Sequence, residues 1–143
     1  MLTATTSALV VSLRQLEMNF TFFTDPPPRA PTQAEFDSVA VITADFIENF
    51  YTDRFSSDPT TLFVGSTTTS EVTSTFNPVQ LTFVFSLSFL RTGNIPSRGE
   101  VESFTINELQ SNAPFINAVS LAEPADNIFR DVMRIEFAYR MFT

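Results

Sequence analysis

Apolar and polar residues alternate along four segments of the chain, and this period of two predicts four β-strands. The first strand covers Gln15 to Phe22, and the clearest covers Val79 to Phe89, where every second residue is apolar. The segment 62–76 is rich in Thr, Ser and Val, which favours a weakly apolar strand at a sheet edge. Asn77-Pro78 predicts a hairpin turn, and the last strand is expected from about Phe129 to Phe142.

The phase of the first strand reverses upstream of Gln15. Leu9, Val11 and Leu13 are apolar at positions where the downstream pattern would place polar residues. A reversal of this kind is typical of one extra residue in the strand, so the sequence predicts a β-bulge near Arg14 or the start of a second short segment.

Two segments carry helix start signals. Thr32–Glu35 matches a capping box, and the residues that follow place an aromatic stripe on one helix face up to Phe55. Ser97–Glu100 is a second capping-box match and precedes a shorter amphipathic helix. Pro114 should end or interrupt that helix, because proline cannot continue the hydrogen-bond ladder.

The order strand, helix, strand, strand, helix, strand predicts an α+β fold of the ferredoxin-like β-α-β-β-α-β type. We expect a four-stranded, mostly antiparallel sheet with two helices on one face. The other face carries the polar residues of each strand and should be wet or contact a neighbour. Length predicts a single domain over residues 1–143, with residues 1–7 as a disordered or linker end.

Composition excludes several classes of function. The formal net charge is −8 and every basic residue is Arg, which argues against nucleic-acid binding. The chain contains no Cys and no His, so it lacks thiol and imidazole chemistry and the usual transition-metal ligands. No apolar run reaches the ~18 residues of a membrane span. We therefore expect no catalytic, cofactor or metal site, no nucleic-acid partner and no membrane insertion.

Three segments carry a resemblance to a known family. Pro31–Phe36, Phe46–Tyr51 and Pro124–Phe129 resemble the SEA-like module that recurs in large predicted extracellular proteins of diatoms and related algae. The self-cleavage motif of SEA domains, a Gly-Ser-Val-Val-Val-like turn, is replaced here by Ser74–Val79. The resemblance implies a secreted or surface-displayed, non-catalytic module, often one of several in tandem, without autoproteolysis.

Two features are candidate sites. Asn19-Phe20-Thr21 is an N-glycosylation sequon, so Asn19 is a possible glycan site, although chance also produces such triplets. The Thr-rich strand is a possible contact edge, although Thr is also common in strands for its conformational preference. The threonines of that edge are Thr67, Thr68, Thr69, Thr73 and Thr75.

The sequence thus favours a non-enzymatic structural or interaction module, extracellular or associated with a cell wall or surface, that acts as a spacer or adhesion domain. Its partner would be a protein or polysaccharide surface, a sister domain in tandem, or a second copy. Two alternatives remain open. One is a binding protein for a small apolar ligand that uses the seventeen Phe residues to line a pocket. The other is an intracellular assembly subunit joined through the open face of the sheet.

Overall fold

A computed structural model describes residues 10–24, 29–76, 78–110, 113–121 and 128–141 of this chain. The expected linker end at residues 1–7, Asn77 of the hairpin turn and residues 124–127 lie outside these ranges. The elements in chain order are β1 (Val11–Thr24), α1 (Gln33–Phe55), β2 (Phe63–Thr75), β3 (Val79–Leu90), α2 (Arg98–Gln110), α3 (Ala113–Ser120), a 3-10 helix (Ile128–Asp131) and β4 (Val132–Met141).

The four strands form one sheet in the order β2-β3-β1-β4, and all three pairings are antiparallel. This arrangement confirms the α+β class, is consistent with the ferredoxin-like plan, and places β2 at an edge. The described residues form three α-helices rather than the two expected, because the second crossover is split. Pro114 lies in the first turn of α3, where a missing N–H costs no helical hydrogen bond.

The predicted bulge near Arg14 is wrong. The pairing of β1 with β3 runs from Val11↔Leu90 to Phe22↔Val79 without a shift, and the one irregularity of β1 lies between Phe23 and Thr24 against β4. Because the register is continuous, Leu13 points to the helix-free side and is 52% exposed. Arg14 points to the other side, where its Nε donates to the carbonyl of Pro96 over 2.9 Å. The described pairing of β1 with β4 ends at Leu16↔Met141. Beyond that pair, the described part of β1 has β3 alone beside it, and its helix side carries Arg14 rather than an apolar residue.

Phenylalanine rings fill the space between the sheet and the helices. Phe20 of β1 is fully buried, and its ring centroid lies 4.6 Å from that of Phe137, 4.7 Å from Phe83 and 5.9 Å from Phe115. Burying one such ring removes on the order of 150–250 Å² from water. The rings therefore join β1, β3, β4 and α3 in one apolar cluster.

The long helix follows its capping signal closely. Thr32 Oγ1 accepts from the Glu35 amide, and Glu35 accepts in return from the Thr32 amide, so the predicted capping box is confirmed. The same reciprocal pair joins Ser97 and Glu100 at the start of α2. The buried face of α1 is slightly narrower than expected, since Phe46 and Phe50 are only half-buried. Its fully packed residues are Phe36, Val39, Thr43, Ile47 and Tyr51.

Candidate functional site

The side of the sheet that faces away from the helices is a broad polar surface. Every second residue of β3 from Val79 to Phe89 is buried against the helices, and the residues between them are half-buried on the opposite side. We call that side the open sheet face. Its central residues are Thr67, Thr69, Glu71 and Thr73 of β2, Gln80, Thr82, Val84 and Ser86 of β3, and Gln15, Glu17, Asn19 and Thr21 of β1.

Hydrogen bonds between strands hold these side chains in place. Asn19 Nδ2 donates to Thr82 Oγ1 over 3.0 Å and to Thr73 Oγ1 over 3.2 Å, which links three strands. Two further bonds cross between β1 and β3, from Gln15 to Ser86 and from Gln80 to Thr21, each 3.0 Å long. A side chain fixed in this way loses little further conformational freedom when a partner binds.

This geometry also defines the surroundings of the candidate glycan site. Asn19 lies on a central strand and is half-buried, and its amide nitrogen contacts both Thr73 and Thr82. A glycan on that nitrogen would have to displace at least one of these two hydroxyl groups. Glycosylation at Asn19 stays a prediction.

The five candidate edge threonines do not share one environment. Thr67, Thr69 and Thr73 are exposed, and the first two pair with outward-facing residues of β3 on the open sheet face. Thr75 is exposed beyond the register shift that follows Val72. Thr68 points toward the helices, and its Oγ1 is buried without a hydrogen-bond partner in the described part of the chain. The candidate contact edge is therefore split between the two sides of the sheet.

One end of the open sheet face is apolar, and the sequence did not identify it. Val11 pairs with Leu90 there, and Leu13 (52% exposed) and Val64 (49% exposed) belong to the same end. The signal was present in the reversed apolar phase of Val11 and Leu13. This reversal predicts a bulge only if the strand keeps all of its apolar residues on the core side, and β1 does not.

Two carboxyl groups in the described part of the chain have lowered pKa values, and both accept hydrogen bonds from backbone amides. The guanidinium of Arg29 lowers the pKa of Glu35 from 4.5 to about 2, helped by the amides of Thr32 and Ile128 and opposed by burial. Hydrogen bonds from the side chain and amide of Thr60 lower the pKa of Asp58. Both groups are stabilised as carboxylates, whereas a general acid at neutral pH needs a raised pKa.

Among the described residues, two clefts share Arg54 in their lining, and Arg54 also contacts Phe104. The Arg54 guanidinium carbon is 3.5 Å from the centroid of the Phe104 ring, a cation–π geometry. One cleft has a volume of about 640 Å³ and is lined by polar loop residues that include Asp58 and Asn94. The other, of about 480 Å³, lies between α1 and α2 over Phe50. Exposed residues border both clefts, so neither resembles an enclosed apolar pocket.

None of the described helices is both long enough and apolar enough to cross a membrane. In comparisons with known proteins, no family model, no curated protein and no solved structure matches this chain significantly.

Proposed function

We propose that this chain is a non-enzymatic interaction module that contacts a polar partner surface through its open sheet face. The observation that carries the proposal is the layer of amide and hydroxyl groups that cross-strand hydrogen bonds hold in place. Asn19 is the clearest case, since it joins Thr73 of β2 to Thr82 of β3. Such a preorganised array suits a partner that offers many hydroxyl groups at once.

A neutral polysaccharide is the partner class that this chemistry fits best. Hydroxyl and amide side chains can both donate and accept hydrogen bonds, as sugar hydroxyls do. The formal net charge of −8 would oppose contact with a strongly acidic polymer. The resemblance to the SEA-like module supports a secreted or surface-displayed location and a spacer or adhesion role.

The proposal can be tested by sedimentation with insoluble cellulose and chitin. We expect the chain to bind to at least one of these, and the double variant Gln15→Ala/Thr69→Ala to lose most of that binding. Asp53→Asn on the helix side is the matched control and should bind as the parent does. Urea denaturation of each variant checks that folding is intact. Absence of binding to both polymers, or equal loss in the control, would overturn a polysaccharide-binding role.

A second candidate, self-assembly through the open sheet face, has one observation in its favour. Leu13 and Val64 expose about half of their surface at the same end of that face. Such a patch can drive association of two copies. Sedimentation equilibrium of the parent and of Leu13→Ser tests this role. A parent that is oligomeric and a variant that is monomeric would support self-assembly, and a parent that is monomeric at all concentrations would refute it.

The ligand-binding alternative has less support. The rings that would line a pocket contact one another, with Phe20 and Phe137 only 4.6 Å apart between centroids. A bound apolar ligand would have to separate them. This alternative remains a prediction.

A further inference from the structure

The outer edge of β2 has backbone groups that face away from the sheet. The Ser66 amide donates to Glu48 Oε1 over 3.1 Å, so it points away from β3. The register of β2 against β3 is continuous from Gly65 to Val72. In an antiparallel ladder every second residue points its amide and carbonyl to the same side, so those of Thr68 and Ser70 face outward as well. No other group in the described ranges bonds them.

Little along β2 protects this edge from a further strand. Natural edges are usually blocked by proline, by lysine, or by a short or strongly bent strand. β2 has thirteen residues and contains no proline, lysine or arginine, and its only charged residue is Glu71. The Glu48 carboxylate covers the edge at Ser66 alone. The stretch from Thr68 to Val72 is left open to pairing.

An apolar side chain of α1 lies beside the open stretch. Val41 is 60% exposed, and it precedes Glu48 by seven residues, which is two helical turns and therefore the same flank of α1. Its position is about 10 Å further toward the helix N-terminus. β2 runs in the opposite direction to α1, because both β1 and β2 are antiparallel to β3 and α1 connects them. Three residues of strand span the same distance, so Val41 is level with Thr68–Ser70.

The charges around the open stretch are negative. Glu71 projects from β2, and Asp37, Asp45 and Glu48 are exposed on the same flank of α1 as Val41. A second copy of this chain would bring these carboxylates toward their own equivalents, which disfavours pairing of β2 with itself. A strand with basic residues would instead meet opposite charges.

We propose that the β2 edge from Thr68 to Val72 binds an extended basic segment of another protein by antiparallel strand addition. The segment pairs with the amides and carbonyls of Thr68 and Ser70, places an apolar side chain against Val41, and directs a basic side chain toward Glu71. Backbone pairing supplies affinity in this mode, and the side chains supply specificity. The inference rests on the proposed interaction role and names a partner for the edge beside the open sheet face.

The test uses a short capped peptide of alternating Val and Lys, added to the isotope-labelled full chain and followed by NMR. We expect shift changes centred on Ser66–Val72 and slower hydrogen exchange at the Thr68 and Ser70 amides. Two derivatives of the peptide, N-methylated at odd or at even positions, provide a matched pair. Only the derivative that is methylated at the amides facing β2 should lose binding, because methylation removes their hydrogens. Because this pair changes the peptide, it remains decisive if a protein variant fails to fold.

Protein variants add a second line of testing. Glu71→Lys should weaken peptide binding about tenfold through loss of charge complementarity. Val41→Ser should weaken it as well, whereas Glu102→Lys on α2 carries the same change of charge and should leave it unchanged. Equal binding of the two N-methylated peptides, or absence of peptide binding, would overturn the inference.

The outcomes also separate this inference from the proposed function. Polysaccharide binding without peptide binding would refute peptide binding at the β2 edge and leave the proposed role of the open sheet face intact. Shift changes confined to the open sheet face would do the same. Peptide binding at β2 without polysaccharide binding would support the edge and count against the polysaccharide role. Association of the chain with itself through β2, seen as concentration-dependent broadening without peptide, would overturn the choice of partner.

Discussion

Substitution of Glu35 by Gln should remove a contact that joins the start of α1 to the distant 3-10 helix. The Glu35 side chain is 2% exposed and accepts hydrogen bonds from the amides of Thr32 (2.9 Å) and Ile128 (2.8 Å). The guanidinium of Arg29 also donates to both of its oxygens. A glutamine at this position offers one acceptor oxygen and directs an NH₂ group at a donor, so at least one buried donor loses its partner.

The magnitude follows from the pKa. The pKa of Glu35 is lowered from 4.5 to about 2 in the folded chain, and each unit corresponds to about 1.4 kcal/mol, which gives about 3 kcal/mol. The folded state therefore holds its proton less tightly than the unfolded state does. This stabilisation is fully present above pH 4.5 and is lost as the pH falls from 4.5 toward 2.

Urea denaturation of the parent and of Glu35→Gln, repeated between pH 7 and pH 2, measures this contribution. We expect the variant to be about 3 kcal/mol less stable at neutral pH, and the gap to narrow as the pH falls below 4.5. Asp45→Asn removes one exposed carboxylate from the same helix and is the matched control, which should be about as stable as the parent at pH 7. A gap for Glu35→Gln that stays constant down to pH 2 would refute the assignment of this stabilisation to the carboxylate.

Three further predictions concern packing, and equilibrium denaturation measures each of them. Phe20→Ala should lower the free energy of unfolding by about 3–5 kcal/mol, and Phe76→Ala, at a residue that is 46% exposed, by under about 1 kcal/mol. Similar losses in the two variants would contradict the burial of Phe20. Tyr51→Phe should cost about 1–2 kcal/mol, since the buried hydroxyl bonds to α2. Burial raises the pKa of Tyr51 to about 12, so the free energy of unfolding of the parent should fall as the pH rises from 10 to 12. If Tyr51→Phe shows the same fall, Tyr51 is not its cause. Gly93→Ala should be destabilising, because its Cβ would lie 2.6 Å from a backbone oxygen, whereas Gly99→Ala in open space should be neutral or stabilising.

The helix starts and the order of strands and helices along the chain could be predicted because their signals are local. Thr32 and Ser97 each face a glutamate three residues later, and that spacing alone produces a capping box. Alternation along Val79–Phe89 likewise identifies a strand with one buried side. The remaining partners of Glu35 could not be predicted, since Ile128 is 93 residues away.

The candidate site was harder to predict than the fold. Apolar periodicity predicts the buried side of a strand best where strands flank it on both sides, and at Leu13 the described part of β1 is paired with β3 alone. The bonds of Asn19 to Thr73 and Thr82 depend on the register of three strands, which no local pattern encodes. Which amides of β2 face outward depends on its pairing with β3 and is marked by the Glu48–Ser66 contact, which no local pattern encodes.

The pairing of β1 with β4 determines how a spacer module of this fold would respond to a pulling force. The two strands are antiparallel, with Leu16 opposite Met141 and Phe22 opposite Ile135, so β1 begins and β4 ends at the same end of the sheet. Opposing forces applied at these two points would pull the strands apart sideways. The ladder would then open one residue pair at a time, as a zipper does, rather than resist with all its bonds at once. A chain of such modules would yield at low force and lengthen, which suits an extensible element better than a rigid strut.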